Sequence, residues 1–451
     1  MATTGRMAWR APSDTNFAAP MPAWMNLSWL IRTALSFSFL IAFLQYELYS
    51  AVTQFLSLAC LGLCGLLVLC GRRRGQRVHH VLSGGGLWFT AILFGEVVSY
   101  TSRDTYSVLY GLVFAGVFLC ARLVVQEIGM PNVVRAYSQA AILTAGVILV
   151  SGRRTLLAGE SSRFNGGTRA HPNLVAFVLA GFLPVIVWRA LEEKGRWRKP
   201  ALIMLSIATF VFMFLTGSRG SLSAVLLAGG ALLFRSISKG WLGRLRIQPI
   251  HIIAALILLP LATVFLLEHN RLGHVADYLN DFLSLSSTQR GVKSGLSGRT
   301  DIWQIAFRLL RAQNRWLFGF GYRAGDRLVG TIDNGYVQLL FESGLIAGSL
   351  IFGSMLRVFF LLWKVSSPRE NNAWTRYYMM LWCMMIVYFL NNISTRYLFS
   401  FGSPFSLCVL FMMAASRQEL IGAGMRARAA QKARAAPRAA VKALAWNRPR
   451  D

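Results

Sequence analysis

Residues 333–362 read DNGYVQLLFESGLIAGSLIFGSMLRVFFLL. The run is longer and more apolar than the ~20 residues a helix needs to cross a bilayer. Its polar residues are ordered: Asn334, Gln338 and Glu342 recur at i, i+4 spacing and so share one helical face. A carboxylate inside a span is costly and points to a bundle interior or a water-filled cavity. Gly344 and Gly348 form a small-xxx-small pair, which predicts the close approach of another helix. This stretch reads as a membrane helix within a larger helical assembly.

The rest of the chain agrees. Of 451 residues, 55% are hydrophobic, while 47 Lys+Arg stand against 18 Asp+Glu for a formal net charge of +29. Charged residues make up only 14%, against roughly 25% in ordinary soluble domains. A disordered basic chain would be poor in apolar residues, and a soluble nucleic-acid-binding module does not fit either. The predicted fold is all-α, a polytopic transmembrane bundle of about twelve spans. They fall near 24–45, 51–70, 82–100, 105–126, 132–150, 172–190, 200–216, 220–236, 249–267, 333–362, 374–393 and 397–415. The six cysteines lie in apolar runs without metal-site or CxxC spacing, so they read as packing residues.

This reading divides the chain into a cytoplasmic N-terminal tail (1–23), transmembrane helices 1–9 (24–267), a large outward loop with amphipathic helices (268–332), transmembrane helices 10–12 (333–415) and a basic cytoplasmic C-terminal tail (416–451). The tail 417–451 suits anionic lipid headgroups rather than nucleic acid. Short-loop Lys and Arg set the orientation. Arg72, Arg73, Arg74 and Arg77 then face the cytoplasm with Lys194, Arg196, Arg198 and Lys199. The outward loop is the exception, with nine Lys/Arg against five Asp/Glu over 268–332. Phosphate on a lipid would account for that excess.

Three outward segments concentrate the chemistry. The first holds Arg163, Arg169, His171 and Asn173, with Pro172 placed to start a helix. The second is Thr216-Gly-Ser218-Arg219-Gly-Ser221, where helix-start N–H groups and a guanidinium together suit an anion. The third runs from Ser297-Gly-Arg299 into an amphipathic helix carrying Trp303, then through Gly319-Phe-Gly321-Tyr322 to Asp333-Asn334-Gly335-Tyr336. Two arginines and a carboxylate at helix ends on one membrane face can bind a diphosphate and deprotonate a hydroxyl. There is no P-loop, no HExxH and no Asp-x-Asp pair.

In order and spacing these motifs resemble the bacterial O-antigen ligase and polysaccharide polymerase superfamily. The resemblance spans most of 150–415. It rests on Arg163-x-x-Gly…His171-Pro-Asn173, Ser218-Arg219-Gly220, Ser297-Gly-Arg299…Trp303, Gly319-Phe-Gly321, and Asn334…Glu342-x-Gly344-Leu-Ile. It implies a GT-C-like bundle in the bacterial inner membrane, both termini cytoplasmic, with a periplasmic active site. Its substrates would be undecaprenyl-diphosphate-linked glycans, as donor and acceptor, with no metal or soluble cofactor. Arg219 and Arg299 would hold the donor diphosphate. Ligases typically carry a histidine before the asparagine matched by Asn334; Asp333 stands here instead, as is often found in polymerases.

The expected activity is therefore a polysaccharide polymerase, with Asp333 taking the acceptor proton. Substrate contacts are expected from Arg163, Arg169, His171, Asn173, Ser218, Trp303, Tyr322, Asn334, Tyr336 and Glu342. A ligase moving glycan onto lipid A-core or another acceptor is the second reading, and a flippase of lipid-linked intermediates the third. Membrane lipids, a flippase and a chain-length regulator are the expected partners.

Overall fold

The computed structural model describes residues 27–48, 51–71, 85–157, 171–238, 299–366, 373–398, 400, 402–422 and 424–425. The candidate span 249–267 and both candidate contacts Arg163 and Arg169 lie outside these residues. Among the described residues the chain is all-helical: α1 (Leu27–Leu48), α2 (Ala51–Gly71), α3 (Gly86–Thr101), α4 (Thr105–Ile128), α5 (Met130–Leu157), α6 (Pro172–Glu192), α7 (Arg198–Leu215), α8 (Arg219–Ser238), α9 (Arg299–Ala312), α10 (Ala324–Leu328), α11 (Gly335–Val365), α12 (Ala373–Asn391) and α13 (Pro404–Ala414). Six of them are long and apolar enough to cross a membrane: α1, α4, α5, α6, α7 and α11. Shorter apolar helices lie within α2, α3 and α13. This is a polytopic helical membrane protein.

Local chemistry sets the helix ends. Asp104 caps α4 by accepting from Tyr106 N, and Gly129 at φ 77° turns the chain directly into α5. Gly217, at φ 63°, makes the tight corner between α7 and α8. Asn334 Oδ1 accepts from Tyr336 N and Val337 N at 3.0 and 3.1 Å, which satisfies two of the first N–H groups of α11.

Hydrogen bonds and ion pairs mark the two ends of the bundle. At one end, Ser99 and Ser107 hold Tyr322, Ser221 meets Asn391, and Gly335 N donates to Asn392 O. At the other, Arg235 binds Ser366 and lies against the rings of Trp363 and Trp382. Arg376 pairs with Glu192 and Arg122 with Glu419 at that same end.

Two departures from the sequence expectation shape the first end. The stretch expected as one span over 397–415 is helical only over Pro404–Ala414, after turns across 391–398. The second departure is in α11. Gly344 there has φ 66° and ψ −174°, so the helix is broken. The freed backbone groups are taken by the chain leaving α9: Phe320 N donates to Phe341 O, Gly321 N to Glu342 O, Leu345 N to Trp316 O, and Ile346 N to Leu317 O, at 2.8–3.2 Å. Irregular backbone at membrane depth survives only where protein satisfies it in this way. A Cβ on Gly319 would lie 2.5 Å from Glu342 O, and one on Gly344 would lie 2.4 Å from Leu317 O. Gly344 thus admits an extended segment, not the neighbouring helix its spacing to Gly348 predicts. The Gly-Phe-Gly and Glu-x-Gly motifs are two halves of one joint.

Candidate functional site

The α7–α8 corner is built from small hydroxyl residues. Thr216 Oγ1 donates to Met213 O at 2.7 Å and accepts from Ser218 N at 3.2 Å. Ser218 Oγ lies 3.2 Å from Ser221 Oγ, which reaches Asn391 Oδ1 at 3.0 Å. Arg219, the first residue of α8, therefore sits on a corner pinned to the end of α12. Glycine follows it because Ser394 occupies the space: a Cβ on Gly220 would lie 2.1 Å from Ser394 Oγ.

Arg299 opens α9, and its Nε stands 3.6 Å from Asp333 Oδ2. Both side chains stay partly open, 24% and 40% exposed. The guanidinium and the carboxylate are in contact, and solvent still reaches both. The apolar side of α9 is seated on protein, with Ala306 and Leu310 buried against Phe320, Ala324, Ile332 and Phe341. That seat fixes where Arg299 emerges. Trp303 packs on the same cluster, and its buried Nε1 has no partner among the described residues.

Asn334 is buried behind Asp333, and Gly335 presses on Leu398, where a Cβ would come within 2.6 Å of Leu398 Cβ. Tyr336 Oη donates to Phe389 O at 2.8 Å, which ties the start of α11 to α12. His171 Nδ1 accepts from Asn173 N at 3.2 Å and caps α6. That helix start is linked to the same end of the bundle through Phe177, whose ring lies 5.0 Å from that of Tyr397.

Two candidates sit elsewhere. Tyr322 is 1% exposed; its Oη donates to Ile92 O at 2.9 Å and its ring stacks on Phe114. Burial first, then nearby Glu96 and Glu342, push its hydroxyl well above the usual tyrosine range. It has no open ring face for a sugar and instead anchors the loop to α3 and α4. Glu342 is buried and accepts from Gln338 Nε2 at 3.0 Å, below α10 rather than beside Asp333.

The residues that sequence reasoning passed over are those of the turn after α12: Asn391, Asn392, Ser394, Thr395, Arg396 and Tyr397. This turn touches both the Arg219 corner and the Asn334–Gly335 step. Asn391 is fully buried, and its Nδ2 has no partner among the described residues. The signal was present as a polar run directly behind an apolar span. Among the described residues no group of three His, Cys, Asp or Glu is placed to hold a metal ion.

A comparison with curated proteins gives no match. Residues 201–352, which carry Arg219, Arg299, Asp333 and Asn334, match the family model described as O-Antigen ligase. The match, over about a third of the chain, supports the O-antigen ligase and polysaccharide polymerase superfamily and a ligase- or polymerase-type role in glycan biosynthesis.

Proposed function

We propose that the protein is a polysaccharide polymerase of the inner membrane that joins undecaprenyl-diphosphate-linked repeat units at the periplasmic face. The observation that carries this reading is the Arg299–Asp333 pair at 3.6 Å, where the ligases it resembles typically have histidine in place of Asp333.

In this mechanism a hydroxyl at the non-reducing end of the acceptor attacks the anomeric carbon of the donor glycan. The new glycosidic C–O bond forms as the bond from that carbon to the diphosphate oxygen breaks. The hydroxyl proton passes to Asp333, and the electron pair leaves with undecaprenyl diphosphate. A carboxylate serves as this base without the tautomer control that histidine needs. Charge develops on the departing diphosphate, and fixed cations there stabilise the transition state more than the ground state. Arg219 and Arg299 fill that role, with the first N–H groups of α8.

Deleting the gene and separating surface glycans on a gel tests the reading. Loss of a polymerase leaves single repeat units on their final acceptor. Loss of a ligase leaves full-length polymer stranded on the lipid carrier, an outcome that replaces this reading with the second one.

A further inference from the structure

Beside Asp333, α10 and the start of α4 carry a charged and aromatic group that the chemistry above does not use. Asp326 accepts from Arg396 Nη1 at 2.9 Å and pairs with Arg323 Nη2 at 3.1 Å. Arg327 pairs with Asp104 and donates to Ser107 Oγ at 2.9 Å. The guanidinium of Arg323 lies 5.3 Å from the ring of Tyr110, and that of Arg327 lies 5.6 Å from the ring of Tyr106.

Given two lipid-linked glycans meeting at Asp333, a reading on which this inference rests, we propose that this rim, built on Tyr106, Arg323, Asp326 and Arg396, is a subsite for the acceptor's oligosaccharide.

Charge balance selects the ligand class. Arg219, at the start of α8 beside its first N–H groups, suits an anion, whereas here each guanidinium is paired with a carboxylate. Sugar hydroxyls both donate and accept, so an alternating array of carboxylates and guanidiniums matches them, and each guanidinium has five N–H groups to share. A tyrosine ring adds an apolar face with a polar edge. The side chains are partly accessible: Tyr106 is 47% exposed, and the Arg323, Asp326 and Arg396 side chains are 31%, 28% and 30% exposed. The backbone supplies a separate sign. Arg323 takes φ 57°, a left-handed conformation uncommon outside glycine and concentrated at ligand sites.

Position selects the acceptor over the donor. Arg396 also lies 3.4 Å from Thr331 Oγ1, two residues before Asp333, and it belongs to the turn that backs Asn334. A glycan lying along this rim reaches the base with its free end. A donor must instead present its diphosphate to Arg219 and Arg299.

The test uses the full-length protein in lipid nanodiscs with two probes: the host glycan's repeat unit, freed of lipid by mild acid, and inorganic pyrophosphate. The expected result is at least tenfold weaker oligosaccharide binding by Tyr106→Ala and by Asp326→Asn, with pyrophosphate binding unchanged. Arg396→Lys keeps the charge but not the fork, and is expected to weaken the oligosaccharide severalfold. Arg219→Ala is expected to do the reverse, losing pyrophosphate and keeping the oligosaccharide. Unchanged oligosaccharide binding in the rim variants, no binding by the unaltered protein at millimolar probe, or loss of both probes together in the rim variants overturns the subsite. Pyrophosphate binding that survives Arg219→Ala overturns the diphosphate assignment alone.

Discussion

Arg299 and Asp333, thirty-four positions apart in sequence, meet at 3.6 Å because the helix that begins with one is seated on the helix that follows the other. Ala306 and Leu310 of α9 bury against Phe341 of α11, and Phe320 stacks on Phe341 with ring centroids 4.7 Å apart. The apolar side of an amphipathic helix thus aims the charged residue at its start.

Asp333→Asn keeps the shape of the side chain and removes its basicity. Polymer formation is expected to fall by about 10²–10⁴-fold, the usual contribution of a positioned base, with unaltered protein in the membrane. Polymer length on a gel and a single-turnover assay with lipid-linked repeat units measure it; near-normal rates would remove Asp333 from the base role.

Arg299→Lys retains charge but loses the planar fork. A loss of activity approaching that of Arg299→Ala is expected if two-pronged diphosphate contact matters. Full activity in the lysine variant would reduce Arg299 to a point charge.

The broken helix gives a contrast within one element. Gly344→Ala meets Leu317 O at 2.4 Å and needs φ 66°, so it strains the joint twice. A positive φ alone costs of order 1–3 kcal/mol. Gly348→Ala has nothing nearer than 3.7 Å and lies in regular helix, where alanine is favoured by roughly 0.5–1 kcal/mol. Melting of the purified protein in detergent is expected to fall for Gly344→Ala and to hold or rise for Gly348→Ala. Equal effects would mean that the joint is not needed.

Tyr322→Phe tests the anchor. It removes the bond to Ile92 O, a loss of about 1 kcal/mol. Because the folded protein holds the Tyr322 hydroxyl above its usual value, its share of stability is intact below about pH 10, the unfolded tyrosine value, and is lost as pH rises beyond it. The stability curve of the phenylalanine variant is therefore expected to be flatter above pH 10 than that of the unaltered protein. Parallel curves would mean that Tyr322 ionises freely in the folded state.

The corner at Gly220 is tight against Ser394, with 2.1 Å left for a Cβ. Gly220→Ala is expected to displace Arg219 and abolish polymer growth, and Gly220→Ala with Ser394→Gly to restore part of it. Failure of the second change to restore anything would separate the corner from the turn after α12.

Composition and hydropathy determine much of this protein by themselves. Apolar runs mark the helices because a bilayer demands internally satisfied backbone over a fixed length. Asp104, His171 and Asn334 cap helices through bonds to backbone two or three residues away, yet the sequence alone suggested His171 and Asn334 as substrate contacts. Arg219, Arg299 and Asp333 stood out because charge at a helix end is conspicuous in so apolar a chain. The rest depends on contacts between distant parts. Gly344 is as compatible with helix packing as with a break; only the four backbone bonds from Trp316–Gly321 decide it. Tyr322 reads as a sugar platform until its burial between α3 and α4 is seen. The predicted spans 374–393 and 397–415 took in both ends of the 391–398 stretch and left only 394–396 between them, since hydropathy averages over a window and cannot register a short polar run that other helices satisfy. Periodicity and charge act along the chain, whereas the partners of a broken helix and the neighbours of a turn are supplied by elements far away in sequence.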